Sequence, residues 1–291
     1  MSLLEEPKKD QPNTYFVQDR SNEAEFERLH LADQNMTRGM GGVFAEQVDP
    51  ARFHRILDVA CGTGEWLIEA ARTCPSLSRC CGVDISAMMI AHARARALAS
   101  HVEDRVDFAV QDALLLLEFP DGYFDLVNQR NAASFLRIWD WQKMIGECCR
   151  VTAQGGIIRL TESDFIVDTS GPVTTYLFEL ILEAFYRAGH LFLRDTSGIT
   201  SHLVSILNRY ARIRDVSTRM HEITYHAGTP EWASMANGIR LTFQTVVPFL
   251  KKWGRLPDNY DTLFQQASHE LDQSGATATM RLLTAWGERE V

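Results

Sequence analysis

No stretch of the 291 residues reaches the ~18 consecutive apolar positions that a spanning helix needs, so no membrane span is expected. Positive charge is also short: 29 Lys and Arg against 38 Asp and Glu leave a formal net charge of −9. That balance argues against nucleic acid or an anionic membrane as the main partner, and leaves room for a local basic patch. The six cysteines, Cys61, Cys74, Cys80–Cys81 and Cys148–Cys149, form no C-x-x-C pair. No histidine cluster at zinc spacing accompanies them, so no metal site is expected. Vicinal cysteines within an expected strand and helix read as small buried residues, not as a disulfide framework. The opening MSLLEEPKKD lacks the apolar centre of a signal peptide. These shortages point to a reduced, cytoplasmic protein.

What is present is concentrated in ILDVACGTGEW, Ile56–Trp66. It reads as a short buried strand, a glycine turn, and a helix whose first N–H groups are free to meet a ligand. Gly62 and Gly64 remove side chains where a ligand would approach the backbone. The dinucleotide pattern needs a third glycine where Leu67 stands. Glu65 would also repel a pyrophosphate there, although a first-turn acid is equally explained by the helix dipole. No G-K-[ST] follows the turn, which removes the P-loop reading. Asp84, twenty residues after Gly64, ends the second strand, where a carboxylate can accept both hydroxyls of a ribose.

From Phe53 onward, strands alternate with helices. Strands are expected at Ile56–Ala60, Arg79–Val83, Val106–Val110, Phe124–Asn128 and Ile157–Thr161. Helices are expected at Glu65–Thr73, Ser86–Ser100 and Asp140–Val151. That order predicts a parallel sheet with right-handed crossovers and a ligand site at the strands' carboxyl ends. A helix capped by Asn22 with Glu25 precedes them, after a charged tail over residues 1–14. Later come helices at Val173–Ala188, Ile199–Tyr210, Pro230–Trp253 and Tyr260–Leu271, and strands at Ala211–Tyr225 and Thr277–Trp286.

The chain resembles the class I S-adenosylmethionine (SAM)-dependent methyltransferases, above all the ubiquinone/menaquinone-pathway C-methyltransferase and natural-product methyltransferase group. The resemblance rests on DVACGTG (Asp58–Gly64), GVDIS (Gly82–Ser86), VQDA (Val110–Ala113), FPDGYFDLV (Phe119–Val127) and CRVTAQGG (Cys149–Gly156), in that order. It covers roughly residues 15–165. It implies a Rossmann-like α/β fold: a seven-stranded, mostly parallel sheet with an antiparallel last strand, an N-terminal helical lid and a helical cap. The corresponding division is tail and lid (1–45), SAM-binding core (46–163), cap helix (164–195), core continuation (196–226), helical cap insertion (227–275) and last core strand (276–291).

The resemblance also implies roles. Ala60, Cys61, Gly62 and Gly64 would wall the cofactor, and Asp58 would steady the loop and face its methionine end. Asp84 would hold the ribose, with Ile85 and Met89 on the adenine. Asp112 would meet the adenine amino group and Ala113 the ring through its backbone. Asn128 ends strand four, where methyl would meet acceptor. In the lid, Tyr15, His30, Gln34 and Met40 are the contact candidates.

Methyl transfer from a sulfonium is an in-line displacement that needs alignment more than proton transfer. A base is needed only for an acceptor that must lose a proton. Candidates are Glu162, Asp164 and His190, followed by His30, His202, His221 and His226. Strand four lacks the [DN]-PP-[YF] pattern, which argues against amide, adenine or glutamine N-methylation. An aromatic-rich cap (with Phe178, Phe185, Trp232, Phe243 and Phe249 among its residues) suits a small apolar acceptor, provided those rings do not simply pack on one another. The expected activity is C- or O-methylation of a small, largely apolar metabolite. The alternative is a SAM-binding regulator or scaffold without turnover. No nucleic-acid partner is expected, and the long cap helices offer a face for a homodimer.

Overall fold

The computed structural model describes Tyr15 and residues 23–164, 168–210 and 213–290. The expected tail over 1–14 and the Asn22 cap lie outside them. Helix α1 (Glu23–Gly39) precedes β1 (Arg55–Val59), α2 (Glu65–Thr73), β2 (Arg79–Asp84), α3 (Ala87–Ala99) and β3 (Val106–Val110). Then come β4 (Phe124–Arg130), α4 (Trp141–Val151), β5 (Thr152–Ser163), β6 (Asp168–Thr169), α5 (Pro172–Arg187) and α6 (Leu203–Tyr210). The described chain closes with β7 (Ile213–His226), α7 (Pro230–Thr245), α8 (Val247–Trp253), α9 (Tyr260–Leu271) and β8 (Thr277–Arg289).

Strands β1 to β5 are parallel in the order β3-β2-β1-β4-β5, so the sheet changes direction of winding between β1 and β4. Strand β8 runs antiparallel to β5 on one edge and to β7 on the other. The two-residue β6 extends the edge of β8 beyond β5. The sheet is thus the expected mostly parallel one of seven long strands, with β6 added.

Local chemistry explains the elements. Helix α2 starts with Glu65 and stops before the extended Cys74, because Pro75 disfavours helical backbone in the residue before it. Ser86 caps α3 by accepting the Met89 N–H at 3.4 Å. The helix expected over Pro230–Trp253 is instead two. It breaks at Val246, and Pro248, which has no N–H to donate, sits in the first turn of α8. Strand β5 starts at Thr152, earlier than expected, and runs through Gly155–Gly156 with a register shift against β4.

Alternate residues of the strands bury two faces. Ile56, Cys80, Leu126 and Ile157 meet Trp66, Leu67, Ile90 and Phe108. Leu57, Val83, Val127 and Leu160 join α4 and the later helices in one continuous core. Each such fully buried side chain contributes roughly 1.5–3 kcal/mol, so the sheet ends rest on a rigid base.

Candidate active site

The loop from β1 to α2 reverses direction within five residues. Ala60, Gly62 and Gly64 there have φ of 57°, 52° and 77°. Left-handed backbone is uncommon for alanine, and its presence marks a turn held by its surroundings. Three bonds do the holding. The Cys61 N–H donates to Val83 O at 2.9 Å, the Gly62 N–H to Asp84 Oδ2 at 3.0 Å, and the Ser86 N–H to Asp84 Oδ1 at 2.8 Å. The Gln111 N–H donates to Asp84 O at 3.0 Å, which ties in the end of β3.

The two glycines do different jobs. A Cβ on Gly62 would meet nothing within 4 Å, whereas one on Gly64 would lie 2.6 Å from the Phe108 ring and 3.0 Å from Ala93. Gly62 therefore faces open space, as a ligand wall should. On Gly64 the side-chain position faces the core instead. Its job is close packing of α2 and α3 against the sheet.

Beyond Asp84, Ile85 is 51 % exposed and Met89 is buried. Asp112 Oδ1 accepts the Leu114 N–H at 2.9 Å and shapes the loop after β3; Ala113 is buried in the core.

At the ends of β4 and β5 the environment is closed. Asn128 is fully buried and donates to Asp58 Oδ1 at 2.7 Å. Its carbonyl accepts from Arg159 Nη1 at 2.6 Å, and Arg159 Nε donates to Glu46 Oε1 at 2.6 Å. Asn128 is thus spent on its neighbours rather than turned toward a ligand. Burial pushes the Asp58 carboxyl up to about 7, against the opposing pull of Arg130 and Asn128. Burial would raise Glu46 as well, but the Arg159 guanidinium outweighs it and holds Glu46 below its ordinary value. Arg130 pairs with Asp33 of α1 and donates to Thr37 Oγ1 at 2.9 Å. The guanidiniums of Arg130 and Arg159 lie 5.9 and 5.8 Å from the Trp66 ring centre. Arg159, Glu46 and Asp33 were not among the expected site residues. One signal was available: an arginine inside Ile157–Leu160 interrupts an apolar strand, and a buried charge must have a partner.

The other face of the same strand ends holds two of the expected bases. Glu162 accepts the Ala132 and Ala133 N–H groups at 2.6 and 3.3 Å, and burial pushes its carboxyl up to about 8. His190 lies 2.9 Å through Nδ1 from Ala133 O, and burial pushes it down to about 4. Both are almost wholly buried, and both grip the turn after β4, where Asn131 has φ 56°. The expectation that they carry protons gives way to a positioning role, because each is committed to backbone. Asp164 is only half-buried and accepts from Thr200 Oγ1 at 2.6 Å. Of the other candidates, His30 pairs with Glu65 at 3.2 Å, His202 packs tilted against Phe192, His221 is buried on β7, and His226 is exposed.

Helix α1 closes over these ends. Gln34 is exposed, while Asp33, Met36 and Thr37 occupy the inward face at helical spacing. Met40 is buried with Met36 and Leu282, and Arg28 donates to the Tyr15 hydroxyl at 3.2 Å. Glu65 also pairs with Arg96, so α1, α2 and α3 meet at one carboxylate. In the cap, Phe178 packs on Phe243 and Phe185 on Phe249, all buried in the common core. These rings fill space between helices, so the aromatic content of the cap is no measure of an acceptor pocket.

Residues 56–156 match the family model described as Methyltransferase domain. A demethylmenaquinone methyltransferase from Thermus thermophilus is 40 % identical over 108 residues, which is 37 % of this chain and 46 % of that protein. An ajmaline N-methyltransferase from Rauvolfia serpentina is 37 % identical over 111 residues, 38 % of this chain and 36 % of that protein. The chain thus spans less than half the length of these curated relatives. Among solved structures, the phosphoethanolamine N-methyltransferase 2 of Haemonchus contortus, crystallised with phosphomonomethylethanolamine and S-adenosylhomocysteine, superposes with a TM-score of 0.56. It is 19 % identical, with 95 % of this chain and 60 % of that chain covered, a likeness of fold. The segment 56–156 thus has the sequence of a methyltransferase domain, set in a Rossmann-like sheet that continues through the rest of the described chain.

Proposed function

We propose that this protein is a SAM-dependent methyltransferase acting on a small, largely apolar metabolite, with C- or O-methylation favoured. The observation that carries the proposal is the bare, left-handed backbone at Gly62, open where a Cβ would stand and joined to the Asp84 carboxylate. That geometry suits an adenosine-linked ligand without phosphate. Asp84 would hold the ribose, Ile85 would cover the adenine, and Asp112 would shape the loop at its amino edge. Residues 46–163 would form the cofactor core, residues 1–45 the lid, and 164–195 with 227–275 the cap. The rest of the sheet, 196–226 and 276–291, would complete the core. We place the protein in the cytoplasm, with a small-molecule acceptor and no nucleic-acid partner.

When bound, SAM supplies a methyl group already activated on sulfur. What the chain must add is alignment and exclusion of water. Asn128 and Asp58 fix the end of β4 against the β1 loop. Glu162 and His190 fix the turn after β4 from its other side. Of the three expected bases we assign proton transfer from a hydroxyl acceptor to Asp164, the least buried of them. The regulator reading has less support, since the matching family model is that of a methyltransferase domain.

Calorimetric titration of cofactor-stripped protein with SAM and with S-adenosylhomocysteine tests the proposal. Micromolar binding of both is expected. Heat from a dinucleotide, with none from either sulfur compound, would overturn it.

A further inference from the structure

A second surface lies outside the turn that Glu162 and His190 grip. It is assembled from three short segments, 137–143, 186–194 and 251–255. They hold seven Lys or Arg and one acid, in a chain whose net charge is −9. Every lysine among the described residues is here: Lys143, Lys251 and Lys252.

The segments touch. The Ile138 N–H donates to Gly189 O at 2.9 Å, and the Trp139 ring lies where a Cβ on Gly189 would be 2.9 Å away. The Arg137 guanidinium lies near two indoles, 5.5 Å from the Trp139 ring centre and 5.8 Å from that of Trp253. Lys252 lies 5.4 Å from the Trp253 ring. Arg187 and Arg194 share Glu183 as their partner, which brings Leu193 to the same edge.

Large apolar groups are exposed among these cations. Trp139 is 59 % exposed, Leu193 49 % and Tyr186 43 %. Indole and phenol rings favour the boundary between water and hydrocarbon, where their apolar body and polar edge are both satisfied. Lysine and arginine beside them favour anionic headgroups.

We infer that the Trp139–Tyr186–Leu193 face, ringed by these cations, docks the protein on an anionic membrane surface. A second copy of the chain fits less well, since a two-fold contact would bring like charges together. A nucleic acid would satisfy the cations and leave Leu193 without a role. The face adjoins the β4 turn, so an apolar acceptor dissolved in the bilayer would enter beside the proposed reaction site. The docking itself does not depend on methyl transfer.

The test is co-sedimentation of the full chain with vesicles of phosphatidylcholine alone and of phosphatidylcholine mixed with phosphatidylserine, at low and high salt. Binding is expected only to the mixed vesicles, with loss at high salt. Reversing Lys251 and Lys252 to glutamate should weaken it by about fivefold or more per lysine. Trp139→Ala should weaken it several-fold with an unchanged circular dichroism spectrum, since Trp139 is exposed. Equal binding to both vesicles, or to none, would overturn the inference. So would heparin binding of the same strength that Trp139→Ala leaves intact, or a concentration-dependent mass increase that Trp139→Ala abolishes.

Discussion

The carboxyl ends of β1 and β2 and those of β4 and β5 share one sheet edge and are built on opposite principles. At the first, the backbone itself is the surface: Gly62 is open, Ile85 is exposed, and Asp84 organises the loop through main-chain N–H groups. At the second, charged side chains are sealed in: Arg159 is 1 % exposed, and its partners Glu46 and Asn128 are buried with it. An open backbone wall can accept a ligand without rearrangement. A closed ionic network cannot, and serves to hold the wall's neighbours still. On the proposed reading, recognition and rigidity are divided between two halves of one edge.

The sharpest way to break this division is at the closed half. Arg159→Ala leaves the Glu46 carboxylate and the Asn128 carbonyl without their cation, and should destabilise the fold by about 3–5 kcal/mol. Chemical denaturation measures it. A loss below about 1 kcal/mol would mean that water already reaches the network. Next in size is Gly64→Ala, whose Cβ would meet the Phe108 ring and must adopt positive φ. A loss of about 2–4 kcal/mol is expected from overpacking plus backbone strain. The matched Gly62→Ala should lose only about 1 kcal/mol of stability, from φ alone, yet weaken SAM at least tenfold. Reversal of that pair would exchange the roles assigned to the two glycines.

The open half was legible in the sequence because everything in it is local. Asp58–Gly64 and Gly82–Ser86 each place strand, turn and helix within a few residues, and the five parallel strands followed from their alternation with helices. The closed half joins residues far apart in the chain: Glu46 to Arg159, Asp33 to Arg130, His190 to Ala133. No spacing rule encodes such pairs. Periodicity likewise showed that α1 would be a helix but not which of its polar residues would face inward, so the pairing of Asp33 with Arg130 was not foreseen. The aromatic cap misled for a related reason: composition counts rings but does not say whether they enclose a space or fill it.

Asp84→Ala sharpens the open half. It removes the carboxylate proposed for the ribose, and SAM affinity should fall by about 1–3 kcal/mol, the scale of hydrogen bonds to a charged group. Calorimetry reads it directly. The loss of the Gly62 and Ser86 bonds will also loosen the loop, so a folded variant with unchanged affinity would remove Asp84 from the ribose.

The smallest effect expected is a change in how stability depends on pH. Glu162 is raised by burial to about 8, from an ordinary 4.5, so the native state keeps a proton that the unfolded chain releases over that interval. Stability must therefore fall as pH rises from about 4.5 toward 8, and Asp58, raised to about 7, acts in the same direction. His190 acts oppositely. It is lowered to about 4 from an ordinary 6.5, so the unfolded chain takes up a proton first and stability falls as pH drops from 6.5 toward 4. Glu162→Gln keeps one carbonyl toward the Ala132 and Ala133 N–H groups and cannot ionise. It should remove about 1 kcal/mol of the decline between pH 6 and 7 while leaving the acid-side decline intact. Thermal melts across that range decide the point. An unchanged alkaline slope would mean that Glu162 is ionised in the native state and that the turn after β4 is anchored by charge.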